Sequence, residues 1–211
     1  MNKTKIVQVG NILIGGGNPI SVQSMTNTDT RDIKSTVRQL KALEDAGVDI
    51  VRLAVLDMDA AKSIKEIKSQ TKIPLIADIH FDYRLALESI KNGIDALRLN
   101  PGNIKDKEKV KEVIKEAKAR DLTIRVGVNG GSLDRAIYKE VSSENMVKSA
   151  GEHIKLMEDL NFTNIKVSLK SSDIKTTIDA NILFRKKYDY PIHLGVTGSI
   201  AAYKIANLAS M

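Results

Sequence analysis

Residues able to do chemistry sit at fixed parity inside short apolar runs. In Ile73-Pro-Leu-Ile-Ala-Asp-Ile-His80, Asp78 and His80 are two apart. Residues two apart on a strand point the same way, so these two share a face and Leu75, Ala77 and Ile79 share the other. A carboxylate beside an imidazole is an acid–base pair, which makes Asp78 and His80 candidate catalytic residues. The rule repeats along the chain. Arg52 falls with Ala54, Arg98 with Asn100, and Arg125 with Gly127 and Asn129. Lys166 falls with Ser168 and Lys170, and His193 with Gly195 and Thr197. The alternate positions are aliphatic, as in Val51, Leu53 and Val55 or Ile124, Val126 and Val128.

Seven strand-like runs occur, at 21–27, 50–55, 74–80, 96–101, 123–129, 164–170 and 191–197, and the last six carry this pattern. Between them lie stretches with helical spacing, among them Val37, Leu40 and Leu43, then Val110, Val113, Ile114 and Ala117. Gly47 and Gly93 read as helix stops. Regular alternation of strand and helix implies parallel strands with helical crossovers. No glycine-rich phosphate loop follows the first run, which disfavours an open doubly wound sheet. The expected class is therefore α/β, a TIM-type (β/α)8 barrel over 1–197. It is incomplete, with about seven strands, and a tail at 198–211 carries one helical stretch. Residues 6–20 predict a β-hairpin ahead of it, with Gly15, Gly16 and Gly17 forming a turn. The long stretch at 130–139 reads as a loop on the functional face.

With aliphatic faces turned to the helices, the polar faces meet in the lumen. That lumen would hold three arginines, two lysines, two histidines and one aspartate. Barrel lumens are ordinarily filled by Val, Ile and Leu, and isolated buried charges cost several kcal/mol each, by order of magnitude. Such a set is tolerable around an anion, and converging Arg and Lys donors suit a diphosphate. The formal charge of +7 agrees with an anionic partner. An aromatic content of 4% argues against nucleic acid as that partner. Much of the remaining lysine alternates with glutamate at helix spacing, as between Lys105 and Arg120, and is a solvated face. His153, between Glu152 and Ile154 in a helical run, is expected at the surface.

No apolar run is long enough to cross a membrane, and the first residues lack a signal peptide's apolar stretch, so the expected location is cytoplasmic. The chain has no cysteine, which removes disulfides, thiolate metal ligands and thiol nucleophiles from its chemistry.

Several longer motifs occur in order: Ser21-Val-Gln-Ser-Met-Thr-Asn-Thr28, Ala77-Asp-Ile-His-Phe-Asp-Tyr-Arg84, Leu97-Arg-Leu-Asn-Pro-Gly-Asn-Ile104, Ile124-Arg-Val-Gly-Val-Asn129 with Gly131-Ser-Leu133, and Ile192-His-Leu-Gly-Val-Thr197. Together they resemble the 4-hydroxy-3-methylbut-2-en-1-yl diphosphate synthases of the methylerythritol phosphate route to isoprenoids. The resemblance implies a TIM-type barrel that binds the diphosphate of 2-C-methyl-D-erythritol 2,4-cyclodiphosphate. By position it assigns Arg52, His80, Arg98, Arg125 and Lys170 to the diphosphate, with Asp78, Asn100 and Asn129 lining the site. It also implies an oxidoreductase with a 4Fe-4S cluster held by cysteines of a separate C-terminal domain. Flavodoxin or ferredoxin would be the reductant, and a homodimer the assembly. This cysteine-free chain cannot bind that cluster and is expected not to turn over alone.

The chain departs from the family pattern after Thr197, where Gly198 stands in place of an active-site glutamate. From Leu194 to Lys204 it is similar to the opening of phosphopantothenoylcysteine decarboxylase-type flavoproteins. Two other readings stand beside the first: a non-functional truncated or chimeric fragment, and another phosphate-binding barrel enzyme such as a pterin-type one, which shares the fold without the motifs.

Overall fold

The computed structural model describes residues 3–80, 82–99 and 107–195. Asn100, Thr197, Gly198 and the tail at 198–211 lie outside the described residues. A two-stranded antiparallel hairpin, β1 (Ile6–Val9) and β2 (Ile12–Gly15), precedes a parallel sheet. The sheet contains β3 (Gln23–Met25), β4 (Ile50–Ala54), β5 (Leu75–Asp78), β6 (Ala96–Leu99), β7 (Thr123–Asn129) and β8 (Ile165–Lys170), side by side in sequence order. Helices α1 (Ile33–Asp45), α2 (Met58–Ser69), α3 (Tyr83–Lys91), α4 (Lys107–Ala119) and α5 (Ser143–Glu158) connect successive strands, and α6 (Ile174–Lys187) follows β8.

The sheet has six strands where seven runs are expected. Within the described residues the seventh run is a single parallel bridge from Ile192 to Val167. His193 N–H extends it by donating to Val167 O at 2.7 Å.

The βα loops set where each helix begins. The side chains of Asp32, Asp57, Asp82 and Asp173 accept from backbone amides of the first turns of α1, α2, α3 and α6, and Ser142 does the same for α5. Each satisfies an amide that has no partner inside its helix. α1 and α3 end before Gly47 and Gly93, which take φ +81° and +87°, a conformation that glycine adopts without steric cost.

The outer face of the sheet and the inner faces of the helices make one core. Leu53, Ala77, Leu97, Val126 and Val167 meet Leu40, Ile64, Ile90, Val113 and Ile154 in it. A second, smaller cluster lies on the opposite face at the N-terminal end of the strands. There Ile50, Ile76 and Ala96 are buried with Val9, and Ile12 and Ile14 pack against them.

The hairpin is therefore a floor to the lumen, and it is tied down at several points. Thr123 Oγ1 donates to Gln8 O at 2.6 Å. Lys5 N–H donates to Asp189 O at 2.6 Å, while Lys5 Nζ sits 4.0 Å above the Tyr190 ring. The glycine run turns the chain as expected. Gly15 takes φ +87°, and a Cβ there would collide with the Lys5 carbonyl. Ile76→Ala, which opens a cavity between sheet and floor, is expected to cost about 2–5 kcal/mol in urea unfolding.

Candidate active site

Register, added to parity, turns the scattered charges into a line. Ala54 pairs with Asp78, Asp78 with Arg98, Arg98 with Arg125, and Arg125 with Lys166. Partners in adjacent parallel strands lie about 4.8 Å apart and point the same way. Arg98, Arg125 and Lys166 thus form three consecutive cationic steps directly above the hairpin floor. Arg52 stands two residues before Ala54 on β4 and faces the same side.

One carboxylate organises the group. Asp78, 4% exposed, accepts from Arg98 Nη1 at 3.0 Å. Its other oxygen lies 3.4 Å from Arg52 Nη1. His80 Nε2 lies 3.6 Å from Asp78 Oδ1. Arg52 also donates from Nη2 to Met25 Sδ at 3.0 Å, which anchors it to β3. Asp78 and His80 do meet, as the sequence predicts, but inside an ion-pair cluster rather than as an isolated dyad.

The rest of the positive charge is uncompensated. Arg125 is 4% exposed and Lys166 2% exposed. Among the described residues neither has an ion-pair partner. The Nε atoms of Arg52, Arg98 and Arg125 are buried without a hydrogen-bond partner.

The electrostatics follow from that geometry. Burial, then repulsion from Arg52 and Arg98, pushes Arg125 down to about 9; a guanidinium at that value is still protonated at neutral pH. Burial, then Arg125 and Arg52, pushes the Lys166 ammonium down to about 7. Burial, then Arg125, Lys166 and Arg52, pushes His193 down to about 3 and holds it neutral. Burial also lowers Arg52, against the pull of Asp78.

Small residues stand next to this row. Gly127 pairs laterally with Ser168, and a Cβ on Gly127 would sit 3.4 Å from Arg98 Nε. Asn129 and Lys170 pair at the C-terminal ends of β7 and β8. Asn129 is half-buried and its side chain accepts from Gly131 N–H at the short 3-10 turn Gly130–Ser132. Lys170 is exposed. The strand rise of about 3.3 Å per residue puts roughly 13 Å between the Cα atoms of Lys166 and Lys170. The structure thus joins Arg52, Asp78, His80, Arg98 and Arg125 directly, and sets Asn129 and Lys170 at the rim.

Lys166 and His193 belong to the buried group although the family resemblance does not single them out. Their parity places both in the lumen; it is the register that shows Lys166 beside Arg125. His153 is half-buried rather than at the surface, and burial lowers its pKa.

A 4Fe-4S cluster needs thiolate ligands, and this chain contains no cysteine. Among the described residues no group of three or more His, Asp or Glu is placed to hold a metal ion. The residues present do not fit the cluster that the resemblance implies, and no step is derived through it.

A family model described as the GcpE TIM-barrel domain matches residues 4–207. The chain belongs to the GcpE TIM-barrel family. It is 56% identical over 198 residues to the 4-hydroxy-3-methylbut-2-en-1-yl diphosphate synthase (flavodoxin) of Clostridium acetobutylicum, a match covering 92% of this chain and 57% of that protein. It is 55% identical over 198 residues to the synthase of the same name from Thermodesulfovibrio yellowstonii, again covering 92% and 57%. The chain spans a little over half the length of these curated relatives.

Among solved structures it is similar to dihydropteroate synthase of Yersinia pestis, with a TM-score of 0.70 at 10% identity, covering 96% of this chain and 80% of that one. It is also similar to phospho-2-dehydro-3-deoxyheptonate aldolase of Thermotoga maritima, with a TM-score of 0.63 at 12% identity, covering 90% and 54%. These two share the fold. The GcpE membership confirms a TIM-type α/β architecture, and the family match runs past Thr197 to residue 207.

Asp78→Asn removes the only carboxylate of the cluster among the described residues. It should lower unfolding free energy by about 3–5 kcal/mol, because Arg98 and Arg52 lose their counter-charge in a buried place. A second expectation concerns pH. Lys166 has a folded-state pKa near 7 against 10.5 in the unfolded chain. Between those values the unfolded chain binds more protons, so stability rises with pH. Urea unfolding at pH 7 and pH 9 should show a rise of up to about 1.4 kcal/mol per unit from this group. Lys166→Met should abolish it.

Proposed function

We propose that this chain is the substrate-binding barrel of a 4-hydroxy-3-methylbut-2-en-1-yl diphosphate synthase, and that its lumen holds the diphosphate of a cyclic diphosphate substrate. The observation that carries this reading is the buried row of Arg98, Arg125 and Lys166. It has one carboxylate at its end, and the Nε donors of Arg98, Arg125 and the adjacent Arg52 are without partners. An excess of desolvated cations with free donors is unstable alone and complementary to a multiply charged phosphate group.

In this reading Arg98 and Arg125 donate to phosphate oxygens from the sheet, and Arg52 from the side. Asp78 keeps Arg52 and Arg98 at fixed angles, so that their free edges face the ligand. His80, half-exposed beyond the end of β5, sits where a substrate hydroxyl or phosphate would pass, and Asn129 and Lys170 close the rim. The substrate is 2-C-methyl-D-erythritol 2,4-cyclodiphosphate, and the net reaction is its reductive ring opening to 4-hydroxy-3-methylbut-2-enyl diphosphate. The barrel's part is to bind and orient the substrate and to neutralise its charge. The redox part belongs to a 4Fe-4S cluster ligated outside this chain and reduced by flavodoxin or ferredoxin, in a cytoplasmic enzyme that works as a homodimer.

Titration calorimetry with the cyclic diphosphate tests the binding role. Wild-type chain should bind it, and Arg125→Met should weaken binding by one to two orders of magnitude, the worth of about 1.5–3 kcal/mol of charged hydrogen bonding. Absence of binding by a cooperatively folded wild-type chain would favour a non-functional fragment. Steady product formation by this chain alone with reduced flavodoxin would refute the division of labour.

A further inference from the structure

We propose that Lys166 is itself a binding residue of the lumen site, and that an anion seated beside it fixes its ammonium proton, so that binding draws one proton from solvent. The inference rests on the lumen being the anion site. It adds a residue that neither parity nor family position singles out from its neighbours.

Lys166 is 2% exposed and stands in the sheet as the lateral partner of Arg125. Among the described residues the charged and titratable groups of the same inner face are Arg52 on β4, Asp78 and His80 on and after β5, Arg98 on β6, Arg125 on β7, and His193 on the segment that bridges β8 through Val167; Arg125, Arg52 and His193 interact with Lys166 electrostatically. Only one of these is a carboxylate, and Asp78 is already engaged by Arg98 and Arg52. Among the described residues Lys166 has no ion-pair partner of its own.

A lysine in that position is repelled in its charged form and unsatisfied in its burial, which is why its pKa falls to about 7. An incoming phosphate supplies the missing opposite charge at the same depth. It returns the amine to an ordinary, fully protonated lysine. The proton balance is then simple: above about pH 7 the free site holds a neutral amine, the complex holds an ammonium, and the difference comes from water. Arginine at the same place would stay charged throughout and would show no such uptake.

The test uses inorganic pyrophosphate as probe and the full chain. Calorimetry in two buffers of different protonation enthalpy gives proton uptake directly; the variant Lys166→Arg corrects for titration of the probe itself. Relative to K166R, the wild type should take up about one proton per anion at pH 8 and close to none at pH 6. Its affinity relative to K166R should fall roughly fiftyfold from pH 7 to pH 9. Lys166→Met should bind weakly at every pH and, without anion, melt above the wild type.

Identical pH profiles for wild type and K166R, with Arg125→Met still losing affinity, would overturn the role of Lys166 and leave the lumen site standing. Failure of folded wild type to bind pyrophosphate at pH 6, where Lys166 is charged, would overturn both. Should K166R not fold, wild-type uptake at pH 8 beyond that of the free probe supports the inference, and none refutes it.

Discussion

One carboxylate among many cations is the constraint on which the rest depends. Asp78 lies at the end of a row in which three successive strands each present a positive side chain to the same interior. It engages two arginines, with His80 beside it. Everything around it limits the cost of that imbalance. The outer face of the sheet is uniformly aliphatic and supplies the stability that the inner face forgoes. Gly127, without a side chain, lets the Arg98 guanidinium approach the backbone of β7. Lys166 and His193, deepest in the field, drop their protons sooner than ordinary lysines and histidines do.

Much of this was legible in the sequence, because parity and period are backbone properties. A side chain two residues along a strand must return to the same face, so the polar residues separate cleanly from the aliphatic ones. α1, α2, α3, α5 and α6 also begin where an Asp or Ser caps them. What parity cannot supply is lateral position. Lys166 and Lys170 share a face equally well, and only the stagger of β8 against β7 decides that the former is buried beside Arg125 and the latter exposed at the rim. His80 illustrates a boundary effect, since β5 ends at Asp78 and the histidine is carried just past the ladder, half into solvent. His153 misleads for a different reason: its charged sequence neighbours do not disclose that it is half-buried on α5. Strand seven is read from a pattern of alternation, yet only its first residues pair within the described structure.

The hairpin floor has a consequence for the order in which the molecule can come together. Its strands precede the sheet in the sequence, but their partners are far along it: Thr123 for the Gln8 carbonyl, and Asp189 with Tyr190 for Lys5. The stopper comes before the vessel. Contacts of such long sequence separation close slowly, after the loops between them have already been organised. Until the last of them forms, Val9, Ile12 and Ile14 remain an uncovered apolar edge on a nascent chain. The same arrangement that seals one end of a charged interior makes completion of the barrel a late event, governed by both ends of the polypeptide at once.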